Sequence, residues 1–155
     1  MALVIFFLPD PAKGVAEMTR IVRRGGIVAA YAWDLLGGGT PLHPIDSEMR
    51  ALGLEAQRSA SPEASRIDAL RGLWTAAGLE AVETWEIPVQ RSFADFEEFW
   101  SITVAGSLLK QALAAASPDD AELVKARVRA KLRPDAAGRI TYAARANAIK
   151  GRVPK

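Results

Sequence analysis

Ala2-Leu3-Val4-Ile5-Phe6-Phe7-Leu8-Pro9-Asp10-Pro11, followed after a helical interval by Ile27-Val28-Ala29-Ala30-Tyr31-Ala32-Trp33, decides the fold. Ala2–Leu8 is apolar throughout, the pattern of a strand buried on both faces of a parallel sheet. Asp10 offers an acceptor for a helix N-terminus. Pro11 stands at the first helical position, where its missing N–H costs nothing. Val15, Met18, Ile21 and Val22 recur at helical spacing and form one apolar stripe. Arg20, Arg23 and Arg24 fall in the last turn, where cations complement the helix dipole. Gly25-Gly26 stops the helix, and Ile27–Trp33 is a second buried run. Two such strands joined by a helix predict a right-handed, parallel βαβ unit.

Working outward, residues 34–66 are punctuated by Gly37-Gly38-Gly39, Pro41, Pro44 and Pro62. They predict a loop around one short helix near Ile45–Leu52. Ile67, Leu70, Leu73, Trp74 and Ala77 mark an amphipathic helix closed by Gly78, and Leu79–Val89 follows as a strand. Ser92-Phe-Ala-Asp95 has a capping-box arrangement, with Asp in place of the usual Glu. It predicts a helix with Phe93, Phe96, Phe99, Trp100 and Val104 on its apolar face. Ser117-Pro-Asp-Asp120 starts another, whose buried face would be Leu123, Val124, Val128 and Leu132. Arg139–Ile149 predicts a last strand. With no internal repeat and no linker, residues 1–155 are expected to form a single domain.

Composition narrows the function classes. Half of the 155 residues are apolar and a quarter are charged, a globular balance. Twenty Lys+Arg against 18 Asp+Glu leave +2, too even for the cationic stripe of a nucleic-acid binder. The densest cluster, Lys125, Arg127, Arg129, Lys131 and Arg133, alternates along a helical stretch and predicts a solvated helix face. No cysteine is present, which excludes disulfides, thiol catalysis and thiolate metal sites. Ala2–Leu8 is too short to span a bilayer and lacks the flanks of a signal peptide. A cytoplasmic protein with no membrane or nucleic-acid partner is therefore expected.

Several segments resemble a bacterial family, the class I S-adenosylmethionine-dependent methyltransferases of the type 11-like kind. Leu3–Pro11 is similar to that family's fourth strand and its exit. Ala16–Gly26 resembles the next helix with its arginine, basic, glycine, glycine turn. Ile27–Asp34 is similar to the fifth strand, and Ala76–Glu83 resembles the alanine-glycine lead-in to the sixth, with Leu79 where an aromatic is usual. Phe93–Trp100 and Ala144–Pro154 are the most particular matches. The resemblance implies an α/β, incomplete Rossmann-like methyltransferase sheet of the last four strands. Its final strand, Arg139–Ile149, would run antiparallel beside the sixth. Residues 93–133 would be a helical insertion, or lid, at the mouth of the site.

What the family places before Leu3, including its Gly-rich turn and the acid for the ribose hydroxyls, has no counterpart in the sequence. Gly37-Gly38-Gly39 follows the second strand and is expected to be a flexible loop. The chain is thus expected to be a transferase moving a methyl from S-adenosylmethionine to a small-molecule acceptor, or a truncated, inactive homologue. In the second case Ala2–Leu8, normally central, is an uncovered edge. The partner is then a second copy, making a homodimer through strand 2–8, or a complete methyltransferase.

Ligands of open α/β sheets lie beyond the carboxyl ends of the strands. The resemblance implies that Phe7, Leu8 and Pro9 flank the cofactor's methionine end, and that Trp33 and Asp34 border the acceptor. Phe7 and Trp33 are equally readable as core aromatics. Asp34 is readable as a general base or as a cap on the glycine loop. Phe96 and Trp100 are candidate substrate-lining aromatics, or core at helical spacing. His43 is the single histidine, flanked by Leu42 and Pro44 without suitably spaced ligands, so no metal is expected.

Overall fold

The protein, seen in a computed structural model, is described over residues 1–54, 56, 59–105 and 107–155. The parts of the expected loop at 55, 57 and 58, and of the expected helical insertion at 106, lie outside the described residues. In chain order the elements are α1 (Pro11–Ile21), β1 (Ile27–Trp33), α2 (His43–Ala51), α3 (Ile67–Ala76), β2 (Glu80–Phe93), α4 (Phe96–Ala105), α5 (Leu109–Ala115), α6 (Pro118–Lys131) and β3 (Ile140–Arg152). Two 3-10 turns, Ile5–Phe7 and Pro62–Ser65, complete the set.

Local chemistry sets several boundaries. Asp10 Oδ1 accepts from the Lys13 backbone N–H at 3.0 Å and starts α1. Such a cap stabilises by about 1 kcal/mol. Ser117 Oγ accepts from the Asp120 N–H at 3.1 Å and does the same for α6. The chain leaves α3 through Gly78 at φ +76°, a left-handed conformation that costs glycine nothing.

β3 is central, in the order β1-β3-β2. β1 and β3 are antiparallel, from Ile27 opposite Arg152 to Trp33 opposite Ala146. Lys150 meets Glu83 at 3.1 Å, and Ser92 meets Thr141 at 2.8 Å. Numbers therefore rise along β2 as they fall along β3, so this pair is antiparallel too. The expected final antiparallel strand beside the sixth is present, and it runs on to Arg152. β2 runs past Val89 to Phe93.

The expected first strand is not formed. Its start does pair with β1 in the parallel sense, through an isolated bridge between Ala2 and Tyr31. The Leu3 N–H donates to the Tyr31 carbonyl at 2.8 Å, and the Tyr31 N–H to the Met1 carbonyl at 3.1 Å. Leu3 then turns to φ +55° and residues Ile5–Phe7 coil into a 3-10 turn. A strand buried on both faces needs a neighbour on each edge, and among the described residues this segment bridges only to β1. The turn instead satisfies the backbone locally: Phe7 N–H donates to Val4, and Leu8 N–H to Ile5. The sheet therefore has three strands rather than four, and the βαβ unit is reduced to a bridge, a helix and a strand.

The described residues divide into two units, Met1–Thr40 with Arg58–Val89 and Ala144–Lys155, and Pro41–Gln57 with Gln90–Ala143. The first has a core of Ile5, Phe6, Val15, Val28, Ala30, Leu70, Trp74 and Ile149. Trp74 is fully buried and donates its indole N–H to the Val28 carbonyl at 3.1 Å. Gly151 lets that ring approach, since a Cβ there would stand 2.9 Å from Trp74 Cδ1.

The second unit is built on Ile45, Met49, Phe93, Phe96, Phe99, Leu109, Val124, Val128 and Ile140, with α2 packed on α6. Two expectations are corrected in it. The helix cap is Asp95, which accepts from the Glu98 N–H at 2.9 Å, while Glu98 reaches back to Ala94. Ser92 and Phe93 belong to β2, because the strand runs two residues into the capping-box pattern. Leu123 is 41% exposed, whereas Val124 and Val128 are fully buried and Leu132 packs half-buried against the same core. The alternating cations of α6 are matched by acids: Glu97 pairs with Lys125 and Arg129, and the buried Glu48 with Arg127 and Lys131.

Candidate functional site

Within the first unit, a groove of about 620 Å³ lies where the N-terminal segment meets α1. Pro9, Pro11, Ala12, Ala64, Gly72 and Leu73 line it, and Glu63 adds a carboxylate. Its floor is held by Ser61, whose N–H donates to the Phe6 carbonyl at 2.9 Å and whose hydroxyl donates to the Leu8 carbonyl at 2.7 Å. Those carbonyls are acceptors that a neighbouring strand would otherwise have used.

A buried polar cluster occupies the carboxyl end of β1. Asp34, 8% exposed, accepts from the Gly37 N–H at 3.0 Å through Oδ1 and pairs with Arg145 through Oδ2. Its backbone carbonyl takes the Gly39 N–H at 2.8 Å. The glycines are required by this closeness: a Cβ on Gly39 would stand 2.7 Å from the Arg145 carbonyl. The hydrogen bond with Asp34, then the charge of Glu86, raise the Arg145 guanidinium above its ordinary value, so it is a fixed cation. Behind it, Asn147 donates to the Ser65 carbonyl at 2.8 Å, and the Leu35 N–H donates to Ser65 Oγ at 3.3 Å. With both carboxylate oxygens engaged, Asp34 anchors the loop in the manner of a cap.

Of the seven candidate residues, five belong to the first unit and two to the second. Pro9 lines the groove, while Leu8 is half-buried and Phe7 is 53% exposed beside Phe6. Trp33 is half-buried and packs on the first core. Phe96 and Trp100 belong to the second unit, stacked with centroids 6.1 Å apart. The Arg129 guanidinium lies 4.4 Å from the Phe96 ring centre, and the Lys125 ammonium 5.8 Å from that of Trp100. His43 is exposed at the first position of α2, and no group of three metal-ligating side chains occurs among the described residues.

Ser61, Ser65, Arg145 and Asn147 were not singled out from the sequence. For the last two a signal exists: in Ala144-Arg-Ala-Asn-Ala-Ile149, polar residues alternate with alanine on the face that turns inward. Both retain a buried atom without a hydrogen bond, Arg145 Nε and Asn147 Oδ1.

No protein-family model matches the chain, and no curated protein matches it. Among solved structures it is similar to a candidate methyltransferase from Bacillus halodurans, at 14% identity and a TM-score of 0.49, over 99% of this chain and 68% of that one. It is similar also to the YcgJ protein from Bacillus subtilis, at 16% identity and a TM-score of 0.47, over 99% of this chain and 62% of that one. No helix among the described residues is long and apolar enough to cross a membrane.

Proposed function

We propose that the chain is the acceptor-side part of a class I S-adenosylmethionine-dependent methyltransferase, cytoplasmic and acting on a small-molecule acceptor. The observation that carries this is topological. A last strand, antiparallel to both neighbours, lies between β1 and β2. A parallel bridge joins Ala2 to β1 on its other side. Together with the sequence resemblance, that order supports the fifth, seventh and sixth strands of the family's sheet, with a vestige of the fourth. In that arrangement the Pro9 groove adjoins the cofactor's methionine end, and Trp33 and Asp34 border the acceptor.

The residues present do not make a complete cofactor site. Gly37 and Gly39 are closed on Asp34 and Arg145, so their loop is not open to a ligand. No described acid outside that loop is placed for ribose hydroxyls at the end of a strand preceding α1. No methyl-transfer step is therefore assigned to residues of this chain. What it supplies is one apolar wall with the Glu63 carboxylate, which favours a cationic ligand.

Strand-mediated pairing through residues 2–8 is not favoured, because that segment is a bridge and a 3-10 turn. Calorimetric titration with S-adenosylhomocysteine tests the proposal. Weak, saturable binding is expected, abolished by Gly72→Trp, which fills the groove. A flat titration overturns the assignment.

A further inference from the structure

Hydrogen bonding at the carboxyl end of β1 leaves one donor and one acceptor over. Asn147 of β3 lies opposite Ala32, and Arg145 opposite Asp34, so both side chains leave the strand on the same face. Asn147 is 3% exposed and spends its amide N–H on the Ser65 carbonyl. Its Oδ1 is buried without a donor among the described residues. Arg145 spends Nη2 on Asp34, and its buried Nε–H has no acceptor. Glu86 Oε1 stands 3.6 Å from Nε, beyond hydrogen-bonding distance.

The neighbouring groups are already committed. Asp34 gives Oδ1 to the Gly37 N–H and Oδ2 to Arg145. The Ser65 hydroxyl donates to the Pro62 carbonyl at 2.7 Å and accepts from the Leu35 N–H. Native folds seldom leave buried polar atoms unmatched, and each such atom calls for a reason. The Arg145 side chain is 40% exposed, so a turn of its guanidinium opens Nε, and the amide behind it, to solvent.

We infer that Arg145 Nε and Asn147 Oδ1 together bind a hydroxyl group of a small molecule, its oxygen accepting from Arg145 and donating to Asn147. A hydroxyl carries both functions on one atom. Positions two apart on a strand are about 7 Å from each other, and an oxygen bonded on both sides at about 2.9 Å bridges about 6 Å. A carboxylate or phosphate only accepts, and it would meet Asp34 and Glu86 against a single guanidinium. An ammonium only donates and leaves Nε unmatched. That the hydroxyl belongs to the methyl acceptor rests on the methyltransferase reading above; the binding itself does not.

The test is a proton–nitrogen NMR titration of the full chain, read at Arg145 Nε and Asn147 Nδ2. The probes are phenol, its methyl ether anisole, which cannot donate, and benzoate, an anion. Phenol is expected to shift both signals saturably and to bind at least about tenfold more tightly than anisole, the worth of one hydrogen bond. Benzoate should shift neither. Asn147→Leu should weaken phenol binding by about tenfold, as should Arg145→Lys, which keeps the charge but lacks the Nε–H. The comparison of probes on the parent chain does not depend on how the variants fold. Equal affinity for phenol and anisole, a preference for benzoate, or no shift with phenol because solvent holds the site overturns the inference. Phenol binding beside a flat S-adenosylhomocysteine titration supports this site and overturns the cofactor assignment alone. The reverse outcome overturns this site alone.

Discussion

The side-chain amide of Asn147, in the middle of β3, donates to the carbonyl of Ser65 at 2.8 Å across 82 residues of sequence. It is the polar tie between the central strand and the turn that roofs the carboxyl end of β1. Asn147 is 3% exposed, so its partner carbonyl has no water to fall back on. Asn147→Ala is expected to cost about 1–3 kcal/mol, the penalty of a buried unpaired acceptor. Urea denaturation checks this; a loss within about 0.5 kcal/mol, as at ordinary surface sites, contradicts it.

Ser61 makes a separate tie to the N-terminal segment. Ser61→Ala removes the hydroxyl bond to Leu8 but keeps the backbone bond to Phe6. A stability loss of about 1 kcal/mol follows from one hydrogen bond. The amides of Phe7 and Leu8 should exchange faster with solvent deuterium than in the parent chain, while those of β3 stay protected. Uniform acceleration would show that the turn opens only with the whole fold.

Two glycines should respond in opposite directions. Gly39→Ala forces a Cβ to 2.7 Å from the Arg145 carbonyl, and backbone on both sides must shift. About 1–3 kcal/mol of destabilisation is expected. Gly72 sits inside α3 with open space around its would-be Cβ. Gly72→Ala should stabilise by about 0.5–1 kcal/mol, because alanine loses less backbone freedom in a helix. Chemical denaturation of the pair checks both signs.

Acid should weaken the tie between α4 and α6. A hydrogen bond from Lys125, followed by the charges of Lys125 and Arg129, holds the Glu97 carboxyl below its ordinary value of 4.5. A carboxyl depressed in the folded state stabilises fully above its unfolded value, and that contribution fades as pH falls through the lower folded value. Melting temperatures measured from about pH 5 down to about pH 3 should fall less steeply for Glu97→Gln than for the parent. Parallel curves would show the pair to be idle.

Period and punctuation were sufficient for α1, β1, α3, α6 and β3, because each carries its own instruction. Asp10 and Ser117 cap without outside help, and Gly78 ends α3 through a conformation only glycine adopts freely. α5 and the extension of β2 to Phe93 were not legible, since strand length is decided by how far the partner strand continues. The carboxyl ends of the first two apolar runs could be located in the sequence; that they border a ligand is the proposal the titration tests. Arg145 and Asn147 could not, for they arrive from the far end of the chain.

The amino-acid order by itself therefore determined the local elements and the apolar surfaces they must hide. Only the tertiary structure decided the fate of Ala2–Leu8. Its composition is that of an interior strand, yet a strand's hydrogen bonds lie in its neighbours, and with one neighbour the backbone closed into a 3-10 turn under Ser61. It likewise brought together Arg24, which bonds Lys155, and Arg152, which bonds Gly25, although the two arginines lie 128 positions apart in the sequence. Charge density depends on where chains cross, and no window along the sequence contains that crossing.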